Sequence, residues 1–264
     1  MQLSFISCLE IAEEEATPLI LETEQVSPTD PDQILAVDDS LVRPVIYQNI
    51  PALNHLPVPE AKEKFISAVL PAILVVKERI ERDQLRVINL LNKSKWTVED
   101  SAFYLDQSER FKAKDIKGLI ARMETHPTSI VLAQAVVESG WGSSRFFQEA
   151  NNLFGIWSYR SSEPRIQAGN SRQGTSIYLR KYDDITGSIA DYFETVGRSR
   201  AYGNFRDARA QSDDIQMLLP HLKHYSERGA AYITQLKNII RQNDLTQYDH
   251  YRIAPNYFTR LAVE

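Results

Sequence analysis

Glu138 is the only carboxylate in an otherwise apolar run, residues 128–139, and Ser139-Gly140-Trp141-Gly142 follows it at once. At the end of an apolar helix a carboxyl group meets two effects of the same sign. Burial disfavours its ionised form, and so does the partial negative charge at a helix C-terminus. A carboxylic acid held protonated near neutral pH can give its proton to a leaving oxygen, as glycosidic cleavage requires. A Glu pointing outward from the end turn, or paired with Arg145, fits the same position equally well. The aromatic side chains of the second half weigh toward the chemical reading. Trp141, Phe154, Trp157, Tyr202, Tyr225 and Tyr232 offer faces on which sugar rings can stack, although core packing is the plainer use of Phe154 and Tyr232. Trp157, beside a polar stretch, suits a cleft wall, and Asn152 could bind an acetamido group or cap a turn.

Positioning these groups falls to a mostly helical chain. Phe65, Val69, Ile73, Val76, Ile80, Val87 and Leu91 recur at helical spacing, with Pro71 expected to bend the helix. Thr97-Val98-Glu99-Asp100 reads as a helix start, and residues 113–123 as a further helix. Pro127 opens the apolar helix 128–139 and Gly140 closes it in a left-handed cap. Residues 158–176 are polar and carry Pro164, Gly169 and Gly174, and Ser176-Ile177-Tyr178-Leu179 alternates like a strand, which predicts a small β-hairpin. Helices are expected again over 184–195, capped by Gly197, then over 218–222 and 230–241. The fold class is α+β, mostly helical, with one small β element.

Composition narrows the partners. The 264 residues hold 43% hydrophobic and 25% charged side chains, the balance of a globular chain. No apolar run approaches the ~20 residues of a membrane helix, so no membrane span is expected. A single cysteine, Cys8, excludes a disulfide framework and a cysteine-rich metal site. Cys8 follows Phe5-Ile6-Ser7 in the manner of a lipoprotein cleavage site, but no apolar core precedes it, and an incidental cysteine is the plainer reading. His221 and His224 lack a third ligand nearby, so no metal and no cofactor are implied. Residues 1–60 carry eleven acidic side chains against one base, Arg43, and seven of the twelve prolines; residues 1–58 therefore read as an acidic arm or linker. The remainder is mildly basic, which suits an anionic polymer but lacks the basic stripe of a nucleic-acid binder.

The run VLAQAVVESGWGSSRFFQEANNLFGIW, followed in order by YLRKYDDITGSIADYF, RAYGNFR and YSERGAAYITQLKNII, resembles the glucosaminidase family, glycoside hydrolase family 73, which includes the FlgJ-type muramidase domains and bacterial autolysins. Bax-type members are the most similar, since their helical lead-in resembles residues 61–122. The resemblance implies a lysozyme-like domain over 123–264, with a helical lead-in over 59–122 packed on it and a cleft between a helical lobe and the hairpin. It implies hydrolysis of the β-1,4 bond after N-acetylglucosamine in peptidoglycan, in the cell envelope or periplasm, by a monomer whose partner is the glycan strand. The general acid of the family's motif falls on Glu138 and its cleft tyrosine on Tyr225. Many members carry a second glutamate in the hairpin, where this chain has Glu163; Asp183 and Asp184 read as a helix N-cap pair. Either Glu163 or the 2-acetamido oxygen of the substrate would then support the cationic centre. A lytic transglycosylase and a non-catalytic wall-binding module are the competing readings.

Overall fold

The computed structural model describes residues 19–169 and 176–260. Its spine is α1 (Val58–Leu90), whose middle, Phe65 to Val76, is buried on every side and runs through Pro71 as one continuous helix. Around it pack α3 (Ile116–Met123), reached through α2 (Val98–Phe111), and then α4 (Thr128–Ser139). The helix start expected at Thr97 is the start of α2, and it is closed by a capping box: the Thr97 side chain accepts from the Asp100 amide while Asp100 accepts from the Thr97 amide. No helix among the described residues is long and apolar enough to cross a membrane.

Helix α4 is apolar all round because α1, α9 (Ala230–Gln242) and a 3₁₀ segment at Leu245–His250 enclose it. That 3₁₀ segment also caps it. Asp249 accepts from the backbone N–H of Ser129 at 2.7 Å and from its hydroxyl at 2.8 Å, which places an anion at the helix N-terminus. Gly140 ends the helix at φ +58°, in the left-handed cap the sequence predicts. After α4 come α5 (Arg145–Ala150), the predicted hairpin and α6 (Ile185–Arg198), followed by the short α7 (Gly203–Arg209) and α8 (Ile215–Leu218).

Among the described residues four two-stranded sheets complete the fold. In the first half these use β1 (Leu19–Leu21), β2 (Glu24–Val26), β3 (Leu41–Val42) and β4 (Val45–Tyr47). The hairpin is β5 (Arg165–Gln167) paired antiparallel with β6 (Tyr178–Arg180), and β7 (Arg252–Ile253) and β8 (Phe258–Arg260) lie near the C-terminus. β1 pairs with β8, β2 with β4 and β3 with β7, so the two ends of the described chain are sewn together.

Two sequence readings need correction. The acidic segment is no loose arm from Leu19 onward: Ile34, Val42, Val45, Ile46, Tyr47, Ile50 and Leu53 all join the core. Its acids and prolines lie among these apolar residues and mask them when composition is averaged. Residues 1–18, with Cys8, and Gly174 lie outside the described residues. Gly197 does not cap α6, which continues to Arg198 with Ser199 as its cap. A Cβ at Gly197 would sit 2.6 Å from the Arg122 carbonyl oxygen and 2.8 Å from the Phe111 ring, so glycine is there for close helix approach.

Candidate active site

Glu138 sits in the last turn of α4, one residue from its end, half-buried, at the wall of a cleft of about 600 Å³. Phe154, Gly155, Ile156, Trp157 and Tyr159 line it together with Tyr192, Thr195 and Arg198 of α6, and Arg180, Tyr202 and Tyr225 also face it. Glu138 is the only acidic residue among those that line it. Burial pushes its carboxyl above the usual range, opposed by the hydroxyl of Tyr232, which donates to Oε1 at 2.9 Å, and by the charge of Arg228. The pairing with Arg145 does not occur: that guanidinium bonds Glu149 and the Gln167 carbonyl instead.

The motif that follows Glu138 turns the chain sharply. Gly140, Trp141 and Gly142 all have positive φ, at +58°, +57° and +79°. A Cβ at Gly142 would come within 3.1 Å of both the Phe65 and Phe147 rings. Trp141 packs edge-on against Phe65 at 5.6 Å with Lys62 over its ring, and does not line the cleft. Its role here is to fasten the turn onto α1.

Asn152 likewise serves the backbone. It is 1% exposed, donates to the carbonyls of Ile156 and Arg180 at 2.9 Å, and accepts from the Ile156 amide at 2.8 Å. These bonds tie the Phe154–Trp157 loop to β6 and hold Trp157, 42% exposed, at the cleft edge with Tyr159 beyond it. Phe154 stacks on Tyr192 with ring centroids 4.3 Å apart, and Tyr225 stacks on Tyr232 at 5.7 Å. Tyr202 and Tyr225 face each other at 6.0 Å; burial lifts the Tyr202 hydroxyl to about 12 and that of Tyr225 well above its ordinary value. Tyr232 is 1% exposed and does not line the cleft, so it reaches Glu138 from the core side.

Glu163 is not among the lining residues. Its Oε1 accepts from the Ser158 hydroxyl at 2.7 Å and its Oε2 lies 3.3 Å from Arg180. Partial burial pushes its carboxyl up, but Ser158 and the charge of Arg180 outweigh that and hold it below the usual range. The ion-pair partner is therefore Arg180 on β6, not the flanking Arg160 or Arg165; Arg165 lies over the Tyr178 ring. Arg180 also bonds Asp191 at 2.5 Å, and Tyr182 and Arg198 share that carboxylate.

Sequence reasoning missed Tyr192, Arg180, Arg198 and Gln134. Tyr192 and Arg180 lie within the quoted motifs without a distinguishing neighbour. Gln134 carried a readable signal: it is the one amide in the apolar helix, one turn before Glu138. Beyond the Trp157–Tyr225 pair the cleft continues into a second groove of about 820 Å³, with Phe146, Ala168, Ile177 and Arg228 on its walls. Among the described residues no cluster of His, Cys, Asp and Glu side chains could hold a metal ion.

Residues 113–245 match the glucosaminidase family, described as mannosyl-glycoprotein endo-beta-N-acetylglucosaminidase. The chain is 26% identical over 210 residues to Protein bax of Escherichia coli (strain K12), covering 74% of each. It is 25% identical over 137 residues to exo-glucosaminidase LytG of Bacillus subtilis (strain 168), covering 46% of this chain and 45% of that one. Among solved structures it is similar to the catalytic domain of the autolysin Auto from Listeria monocytogenes, with 18% identity and a TM-score of 0.41, over 60% of this chain and all of that one. The glycoside hydrolase domain of FlgJ from Salmonella typhimurium gives 20% identity and a TM-score of 0.38, over 53% and 90%.

Proposed function

From the premise that the chain belongs to the glucosaminidase family and is a glycoside hydrolase, we propose that it cuts peptidoglycan at the β-1,4 bond after N-acetylglucosamine, with Glu138 as general acid. The observation that carries this reading is a single carboxyl group, its pKa raised by burial, at the wall of an aromatic cleft. Glu138 gives its proton to the leaving oxygen as the glycosidic bond breaks. With Glu163 engaged by Arg180 and Ser158, the 2-acetamido oxygen of the substrate closes on the anomeric carbon. The resulting Glu138 carboxylate then takes a proton from the water that opens this intermediate.

Tyr225 stands at the junction of the two grooves, where the bond to be cut would cross, and Trp157 faces the sugar on the same line. Groove on both sides of this point suits cleavage within a strand. Arg228 on the second groove suits a polymer that bears carboxylates, and a substrate of this kind supports a location in the cell envelope.

Glu138→Gln keeps the shape and removes the proton donor, so turnover of purified cell walls should fall by about 10²–10⁴-fold or more. Undiminished digestion would sink the assignment. Mass analysis of wild-type digests should show reducing N-acetylglucosamine ends; anhydro-muramyl ends would indicate a transglycosylase, and no products a binding module.

A further inference from the structure

A line of hydrogen bonds runs from Glu138 into the core and ends on a histidine. The Tyr232 hydroxyl donates to Glu138 Oε1 at 2.9 Å, and its oxygen accepts from Nε2 of Gln134 at 3.1 Å. Gln134 Oε1 accepts from the Tyr192 hydroxyl at 2.6 Å, and Tyr192 lies 2.8 Å from Nε2 of His126. His126, Gln134, Tyr192 and Tyr232 are all buried, and they come from α4, α6, α9 and the loop before α4.

Counting protons sets the direction of the whole line. A tyrosine hydroxyl has one proton to give, and an amide has a donating end and an accepting end. Tyr192 gives its proton to Gln134, so it can only accept from His126, which must carry its proton on Nε2. His126 Nδ1 has no hydrogen-bond partner among the described residues, consistent with a bare ring nitrogen there. At the other end Gln134 donates to Tyr232, which leaves Tyr232 no acceptor for its own proton except Glu138. Every donor therefore points toward the carboxyl group, and Oε1 is occupied as an acceptor.

We propose that His126, Tyr192, Gln134 and Tyr232 are positioning residues that confine the acidic proton of Glu138 to Oε2. This rests on the reading of Glu138 as the general acid. The line does a second job after the proton has left. The same donors stabilise the carboxylate, each link polarising the next, and so limit the cost of a charge in a half-buried site. The groups facing Glu138 are Tyr192, Tyr202, Tyr225, Tyr232 and Arg228, and those facing His126 are Arg209 on α7, Lys77 on α1 and Tyr192. Burial, with the charges of Arg209 and Lys77, keeps His126 neutral, so the far end stays in one protonation state.

Nitrogen NMR of His126 in the wild-type protein reads the direction without any activity. The Nε2–H tautomer is expected; the Nδ1–H tautomer would run the line backward and overturn the proposal. Gln134→Glu keeps the shape but exchanges the donating end for a second acceptor, which draws the Tyr232 proton away from Glu138. Titration of the Glu138 carboxyl carbon, and the basic limb of the kcat profile, should then move up by about one pH unit. Tyr192→Phe retains the ring stacked on Phe154 and should move both in the same direction by less. It decides the matter if the first variant does not fold. A Glu138 titration unmoved in folded variants would overturn the proposal. Full activity of Glu138→Gln would instead remove the acid reading, while the tautomer and the carboxyl titration would still be read.

Discussion

Glu138 works against the stability of the fold that holds it. Its carboxyl titrates above the unfolded value, chiefly through burial, so the folded state binds more protons in the interval between the two. Stability is then full below the unfolded pKa, falls as pH rises toward the folded one, and stays reduced above it. Glu138→Gln removes this loss, and its amide oxygen can still accept from Tyr232. The variant should melt with the wild type at about pH 4, near the ordinary carboxylate pKa, and above it at neutral pH, with the gap opening as pH rises. A melting temperature equal to wild type across that range would mean the carboxyl is well solvated. Glu163 makes the opposite case. Its bonds to Ser158 and Arg180 point away from chemistry, so Glu163→Gln should keep kcat on cell walls within about tenfold, less than the loss expected of a general acid or base. A loss matching that of Glu138→Gln would restore Glu163 as the second catalytic carboxylate.

Among the elements, α4 does most to make the site, and its surroundings explain its composition. Enclosure by α1, α9 and the Leu245–His250 segment requires apolar residues on every face, and the two polar exceptions between Ile130 and Glu138, Gln134 and Glu138 itself, share one line of hydrogen bonds. The left-handed turn at Gly140–Gly142 then sends the chain away at once, which keeps Glu138 at the cleft wall. Helix α6 carries Tyr192, Thr195 and Arg198 to the same cleft, and its depth of packing depends on Gly197. Gly197→Ala would force the backbone of Arg122 and the Phe111 ring apart, at a cost of about 1–3 kcal/mol, as for other overpacked sites. Thermal or denaturant melting should register it, and turnover should fall with it because Tyr192 rides on α6. An Ala variant as stable as wild type would show that the helices can separate freely.

At the scale of the molecule, the acidic first segment is structural from Leu19 onward. Its strands pair with β7 and β8 from the other end of the chain, and Tyr47, Ile46 and Val45 lie against α1. Each such buried side chain contributes roughly 1.5–3 kcal/mol before entropy is counted, against a whole-domain stability of about 5–15 kcal/mol. Deleting residues 1–57 should therefore lower the melting temperature sharply and expose apolar surface that binds a hydrophobic dye. A deletion that melts like the full chain would return this segment to the role of a tether.

Local rules act over a few residues, and what they govern was legible in the sequence: the helix start at Thr97, the Gly140 cap, the apolar helix 128–139 with its lone carboxylate, and the polar hairpin. The ordered motifs added the family, and with it Glu138 and Tyr225 as candidates that the structure brings to one cleft. Pairings between residues far apart in the chain were not legible. Parallel strands β2 and β4, or β3 and β7, carry two or three residues each and leave no periodic trace. The same limit applies inside the site. Trp141 and Asn152 have residue types that suit sugar binding, and only the positions of Phe65, Ile156 and Arg180 turn them toward the fold. Tyr232 reads as a sugar platform until α9 is packed on α4 and its hydroxyl meets Gln134 and Glu138. A side chain's chemistry follows from its type, but its use depends on which groups desolvate it and which donors remain to satisfy it, and those are set by tertiary packing.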